Sequence, residues 1–194
     1  CDRRLDQVVF AGTHNSMSNA EDGWIAPNQE SGIPRQLEAG IRAFLVDTYE
    51  WQGELMLCHG SCALGSVPLD LVLGQVVNFL HEHPREFLVF IIQDAISPEQ
   101  TEEAFDAAGL SDLLYRHSED TEWPSLGELL DLGTRALVTA ESSGPPPPWY
   151  HHAWSLFQDT HYAFSSTEDI HCDEHRGDSE SPLFLINHWL ASPL

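Results

Sequence analysis

The sequence predicts a parallel α/β fold that occupies residues 1–194 as a single domain. Two observations carry this prediction. Short apolar runs alternate with segments whose apolar residues recur at helical spacing. Polar side chains also cluster directly after the apolar runs, and parallel α/β folds bind their ligands at the carboxyl ends of the strands. The pattern therefore favours an enzyme over a scaffold.

The strands are predicted from apolar runs that end at glycine or at polar residues. They cover residues 8–11, 43–46, 54–58, 87–92, 136–139 and 183–186. The run at 87–92 is the clearest of them and leads directly into Gln93 and Asp94. It is also the longest apolar run of the chain, and it is far shorter than the roughly 20 residues of a membrane-spanning helix.

The helices are predicted where capping residues and apolar periodicity agree. They cover residues 31–39, 66–83, 98–108 and 125–132. In the third helix, Ser97 and Pro98 form the start and Gly109 forms the end. Ser66 and Pro68 are interpreted in the same way, as the start of the second helix.

The stretch at 150–182 is polar, rich in histidine and without a clear period. We interpret it as a long loop with some helix around 152–157, entered through an extended proline connector at 145–148. His171, Cys172 and His175 raise the alternative of a zinc-dependent hydrolase, but their spacing matches no recognised ligand set.

The charge excludes some classes of partner. The chain has 31 acidic and 8 basic residues, for a net charge of −23, and every basic residue is an arginine. Nucleic-acid binding by counterion release is therefore disfavoured, as is electrostatic docking on an anionic membrane. We expect no nucleic-acid partner and at most peripheral contact with a membrane.

The four cysteines are Cys1, Cys58, Cys62 and Cys172. They form no CxxC pair, and their spacing fits no familiar zinc module. Cys58 and Cys62 are close enough in sequence to bridge a short loop, although the sequence leaves the pairing open. Because such bridges are rare in the cytosol, this favours a secreted protein.

Two histidines stand in similar settings at the ends of predicted strands. His14 follows Gly12 and Thr13, and His59 precedes Gly60. One neutral imidazole can take a proton from an attacking hydroxyl while a second, protonated imidazole gives one to the leaving oxygen. The alternative is that His14 is hydrogen-bonded within its loop and that His59 packs beside a disulfide.

Oxygen-bearing side chains stand at the same strand ends. Asp47 follows an apolar strand, where a carboxylate can bind a hard cation, orient a histidine or cap a turn. Asn15, Gln93 and Asp94 would complete an oxygen cage around such a cation.

Two further side chains are candidates for contact with a phosphate. Arg42 precedes a strand and can clamp a phosphate, or can form a salt bridge at the opposite rim of the fold. Asn187 follows the last predicted strand. We expect Asn15, Arg42 and Asn187 to contact the substrate.

Residues 9–16, and residues 40–47 followed by 57–60, resemble the two catalytic blocks of the phosphatidylinositol-specific phospholipase C X-domain superfamily. Within it, the chain is most similar to the secreted X-domain-containing proteins, and the similarity covers nearly the whole sequence. The resemblance implies a distorted TIM-type (β/α) barrel that cleaves a phosphodiester or a phospholipid. It makes His14 the first catalytic histidine, as the general base or as a hydrogen-bond donor to the phosphate, and His59 the general acid for the leaving alcohol.

In metal-dependent members of the superfamily, Ca²⁺ stands at the phosphate. The resemblance maps its ligands to Asn15, Leu45, Asp47 and Gln93. Asn15 and Asp47 match, whereas Leu45 cannot ligate and Gln93 replaces a carboxylate. The alternative function is therefore a catalytically weak or inactive module that binds a phosphate or a lipid headgroup on the same barrel.

The resemblance also implies one more strand after Asn187, with an acidic partner for the first histidine. Complete barrels have eight strands in roughly 250 residues, and only six strands are predicted here. We therefore expect a barrel that is incomplete at its C-terminal end.

Overall fold

The structure is a computed structural model that describes residues 1–118 and 121–191. Its nine strands in that part of the chain form two sheets. They are β1 (Gly12–Thr13), β2 (Ala43–Trp51), β3 (Glu54–Cys58), β4 (Ser66–Pro68), β5 (Leu88–Asp94), β6 (Ala136–Ala140), β7 (Tyr150–His152), β8 (Phe157–Asp159) and β9 (Leu183–Leu185). The helices are α1 (Ile33–Glu38), α2 (Leu69–Glu82), α3 (Pro98–Ala108), α4 (Leu126–Asp131) and α5 (Ala153–Leu156). Short 3₁₀ turns cover Leu5–Gln7, Ser111–Leu113 and Thr167–Asp169.

The larger sheet has the order β4-β3-β2-β5-β6-β7, and β1 pairs with the start of β2. The strands β1, β2, β5, β6 and β7 are parallel, so their carboxyl ends meet at one edge. In contrast, β2, β3 and β4 form an antiparallel hairpin extension. The parallel pair β8 and β9 forms the second sheet.

Alternating residues of the parallel strands build two cores. Phe44, Phe90 and Val138 pack outwards in the cluster that contains Val76 of α2. The intervening residues, Ile91 among them, point the other way into a second cluster. This explains the continuous apolar run of β5, because the strand is buried on both faces.

The inner side of the large sheet lies opposite β8 and β9. A cavity of about 690 Å³ separates them, with Phe10, Leu45, Ile91 and Leu185 among its lining residues. In the described ranges, no ladder of hydrogen bonds joins β7 to β8 or β9 to β1. The architecture is a TIM-type α/β barrel that does not close.

Helix capping follows the predicted signals at α3 and α4. The Ser97 hydroxyl accepts a hydrogen bond from the backbone N–H of Gln100, and Gly109 ends α3 with φ at +77°. Ser125 caps α4 in the same way, accepting from the backbone N–H of Glu128. Among the described residues, no helix has both the length and the apolarity needed to cross a membrane.

Three of the sequence-based assignments were wrong. The first strand covers only β1, and 8–11 precede it as irregular chain. Ser66–Pro68 does not begin α2, because it pairs with β3 as the strand β4. In the stretch at 150–182 the predicted helix is present as α5, but β7 and β8 on either side of it were not predicted, and His151 and Asp159 in them are buried.

Candidate active site

The loop after β1 carries His14 at the carboxyl edge of the sheet. Its backbone is fixed by three hydrogen bonds: Ser16 N–H donates to the Leu45 carbonyl at 2.9 Å, Gln36 Nε2 donates to the Ser16 carbonyl at 2.8 Å, and Gln29 Nε2 donates to the His14 carbonyl at 2.6 Å. The loop is thus attached to β2 and to the neighbouring polar residues. This holds the His14 side chain at the mouth of the barrel.

His59 comes to the same mouth from the end of β3. His59 lies in a short loop that a disulfide between Cys58 and Cys62 closes, with the two Cα atoms 4.9 Å apart. The sequence had left this pairing open. Burial lowers the pKa of His59. Burial, followed by the charges of His59 and Arg176, lowers the pKa of His14 to about 4. The two imidazoles therefore lie close enough to interact electrostatically.

Two carboxylates lie at the carboxyl ends of the parallel strands, with Asp47 inside β2 and Glu141 directly after β6. Asp47 is 4% exposed, and its carboxylate makes no hydrogen bond to any described residue. Burial, followed by the charge of Glu141, raises the pKa of Asp47 to about 7. Glu141 also has a raised pKa, mainly because it is buried. Burial therefore disfavours the charged form of both carboxylates.

Arg176 brings a cation into this acidic mouth. Its Nε and Nη2 donate to Asp159 Oδ2 at 3.0 and 2.7 Å, and its Nη1 donates to Glu141 Oε1 at 3.3 Å. The guanidinium carbon lies 3.9 Å from the ring centroid of Trp154 and 4.6 Å from that of Tyr162. Bidentate pairing and stacking on aromatic rings fix the guanidinium far better than an exposed ion pair would.

Asn15 and Asn187 are both buried near the histidines. Asn15 is 3% exposed and its Nδ2 has no hydrogen-bond partner. Asn187 instead donates from Nδ2 to the Thr160 carbonyl at 2.6 Å and to Asp159 Oδ2 at 3.1 Å. Asn15 thus has an unpartnered amide nitrogen in the site. The amide nitrogen of Asn187 holds Asp159 in place, and its Oδ1 is likewise buried without a hydrogen-bond partner.

Arg42 does not join the site. It lies at the amino end of β2, opposite to the mouth, where its Nε donates to Glu86 Oε2 at 2.7 Å. Its Nη1 donates to the carbonyls of Leu37 and Ile41 at 2.6 and 2.8 Å. The structure corrects the prediction of a phosphate clamp in favour of the salt bridge, because the guanidinium is already satisfied on the far rim.

The residues do not fit the Ca²⁺ site that the resemblance implies. Asn15 and Asp47 supply buried oxygen atoms, but Leu45 has none to offer and Gln93 is exposed. Over 1–118 and 121–191, no three or more His, Cys, Asp and Glu side chains are arranged to hold a metal ion. The same finding covers the described histidines of the 150–182 stretch, so it gives no support to the zinc alternative.

Arg176, Asp159 and Trp189 are site residues that the sequence-based reasoning missed. Asp159 is the last residue of β8, a position similar to that of Asp47 after the apolar residues of β2. Predicting a strand at 157–159 would therefore have made Asp159 a candidate site residue. No sequence pattern pointed to Arg176 or Trp189, because both lie in irregular segments of the chain and not at the end of a strand.

Residues 1–193 match the family model described as PI-PLC X 1. The chain belongs to the PI-PLC X family. It is 28% identical over 209 residues to PI-PLC X domain-containing protein 1 of Arthroderma benhamiae. This match covers 98% of this chain and 66% of that protein. A protein of the same organism named an uncharacterized secreted protein is 27% identical and matches 97% of this chain and 46% of its own length. The chain therefore spans about two thirds or less of these curated PI-PLC X relatives.

Solved structures confirm the fold of this PI-PLC X chain. The phosphatidylinositol-specific phospholipase C of Listeria monocytogenes superposes with a TM-score of 0.68 at 20% identity, covering 86% of this chain and 66% of the other. The phosphatidylinositol-specific phospholipase C of Staphylococcus aureus superposes with a TM-score of 0.60 at 18% identity. The match covers 76% of this chain and 52% of the other. At these identities the likeness establishes the barrel fold alone.

Proposed function

We propose that the protein is a phosphoric diester hydrolase of the phospholipase C type that works by two-histidine acid/base catalysis. The observation that carries the proposal is that His14 and His59 directly follow β1 and β3, and that the charge of His59 is among the causes that lower the pKa of His14. Membership of the PI-PLC X family and the shared barrel fold support it.

The two imidazoles suit different roles. The lowered pKa keeps His14 neutral near pH 7, so it is the group able to take a proton from an attacking hydroxyl or water. His59, whose pKa is lowered with no cause other than burial, would protonate the leaving oxygen. Arg176 would offset part of the phosphate charge, and the free amide of Asn15 would donate to a phosphate oxygen.

We propose a soluble phosphodiester or the headgroup of a phospholipid as the substrate. The net charge of −23 opposes firm adsorption to an anionic bilayer. A secreted location is supported by the Cys58–Cys62 disulfide and by the relative that is named a secreted protein.

The test is hydrolysis of a soluble inositol phosphodiester by the wild type and by the His14→Gln and His59→Gln variants, each with Ca²⁺ and with a chelator. Removing an acid/base group typically costs about 10²–10⁴-fold in rate, so we expect at least a hundredfold loss in both variants with the fold retained. The control is His81→Gln, an exposed histidine of α2. Its activity should equal that of the wild type.

Equal activity in the His14→Gln variant would contradict the mechanism. A folded wild type that binds the diester without turnover would instead favour the headgroup-binding module. Loss of activity in the presence of the chelator would show that the reaction needs Ca²⁺. Asn15 and Asp47 would then be the next residues to vary.

A further inference from the structure

An aromatic contact holds the imidazole of His14. No residue of 1–118 and 121–191 forms a hydrogen bond with its ring nitrogens. Its one ring contact in the described chain is with Trp189, whose centroid lies 4.2 Å away at an interplanar angle of 6°. The two rings are therefore stacked face to face.

The backbone around Trp189 is tied down on both sides. Two residues before it, Asn187 is 1% exposed, and its N–H donates to Thr160 Oγ1 at 2.9 Å. Two residues after it, the N–H of Ala191 donates to the Phe164 carbonyl at 2.7 Å. The indole is thus held between two fixed points, and its place over His14 follows from the path of the chain.

The same anchor reaches the charged part of the site. Asn187 Nδ2 donates to Asp159 Oδ2, the oxygen that also accepts from Arg176. Asn187 therefore links Asp159 and Arg176 to the chain segment that carries Trp189, two residues further along.

A general base must hold its ring within a small range of positions, because a misplacement of about 1 Å can cost a hundredfold in rate. Histidine bases are commonly oriented by a hydrogen bond to their second nitrogen. A stacked indole restricts the ring in another way, since it fixes the plane and shields one face from water. It leaves the ring edge, with both nitrogen atoms, open to the substrate.

We propose that Trp189 is a positioning residue for His14, and that the face of its indole fixes the plane of the His14 ring. The inference rests on the proposed function, because it concerns the general base of that reaction. It predicts that an aromatic ring at position 189 matters for turnover and not for substrate affinity.

The test compares Trp189→Phe and Trp189→Ala with Leu190→Ala, a control at the adjacent, 46% exposed side chain. On the soluble inositol phosphodiester, we expect Trp189→Ala to lower kcat by roughly tenfold to a hundredfold while KM changes little. Trp189→Phe keeps a flat ring and should recover most of kcat. Leu190→Ala should match the wild type in both constants.

A proton NMR measurement gives a readout that does not depend on activity. The His14 ring protons, assigned by their loss in His14→Gln, should resonate upfield in the wild type because they lie over the indole. They should return towards the normal position in Trp189→Ala. Circular dichroism of each variant separates a loss of fold from a loss of position.

The outcomes are distinguishable. Normal His14 resonances in the wild type would overturn the stack itself. An upfield shift that vanishes in Trp189→Ala with kcat unchanged would overturn the positioning role. A wild type that shows the shift but cleaves no diester would contradict the proposed function, and the positioning of a general base would fall with it.

Discussion

Asp47 and Glu141 lie at the same level of the sheet, with Gln93 of β5 between them. Asp47 pairs with Gln93 in the parallel register, and the N–H of Glu141 donates to the carbonyl of Ile92, the residue before Gln93. Leu45, two residues before Asp47, lines the cavity, so Asp47 points to the same inner face. The fold thus places two carboxylates at the mouth, of which Glu141 is paired with Arg176.

This placement makes Asp47 a source of instability above neutral pH. Its pKa is raised from 3.8 to about 7, so the folded chain holds a proton that the unfolded chain releases. Stability therefore falls as pH rises between those two values, and the full cost is present above the higher one. We expect Asp47→Asn to remove a cost of up to about 4 kcal/mol at pH near 8.

Urea denaturation of the wild type and of Asp47→Asn at pH near 5 and near 8 measures this effect. The stabilisation by the variant should be larger at the higher pH. Asp106→Asn, at an exposed carboxylate of α3, is the control and should show no such dependence. A variant that is equally destabilised at both pH values would show that Asp47 is a structural hydrogen-bond acceptor.

The pH dependence of activity follows from the two histidines. As the general base, His14 must be neutral, which its pKa of about 4 permits over most of the acidic range. As the general acid, His59 must be protonated, and its pKa lies below the ordinary 6.5. We expect a bell-shaped profile of kcat/KM with its optimum on the acidic side of neutrality. An acidic limb at or above pH 6.5 would contradict the assignment of His14 as the base.

The central parallel strands β2, β5 and β6 were predictable, because a buried strand is apolar in its own local sequence. The run of β5 is apolar throughout since both of its faces are covered, and α3 carries its start and end signals within its own residues. The same local signals placed His14, His59 and Asp47 at strand ends. His14 and Asp47 could be brought together by prediction because β1 and β2 are parallel, whereas His59 follows β3, which is antiparallel to β2.

The remainder depends on contacts between distant parts of the chain. His151 of β7 is 8% exposed although it is polar, because its Nε2 is hydrogen-bonded to the backbone of His117 from another segment. Arg176 reaches the site by pairing with Asp159, 17 residues earlier in the chain. Spacing and periodicity carry no information about such pairs, so β7, β8 and Arg176 were missed.

Arg176 should be sensitive even to a conservative change. A lysine has a single ammonium group, which cannot donate to Asp159 in a bidentate manner, reach Glu141 and stack on Trp154 at once. We expect Arg176→Lys to lower kcat/KM by about tenfold or more, since Asp159 is fully buried and would lose its paired donors. The control is Arg85→Lys, whose partner Asp131 lies on the surface. Equal kinetics for the two variants would show that Arg176 acts only as a point charge.

The Cys58–Cys62 disulfide should matter more for activity than for folding. The loop that it closes is short, so the constraint on the unfolded chain is worth only about 2 kcal/mol. His59 lies within that loop, however, and Cys58 is fully buried at its base. We expect the Cys58→Ala/Cys62→Ala double variant to remain folded and to lose most of its kcat, because the freed loop no longer holds His59 against the mouth.

Thermal denaturation and single-turnover kinetics, each with and without reductant, measure the two effects separately. Full activity in a less stable double variant would mean that the hairpin of β2 and β3 positions His59 without the bridge.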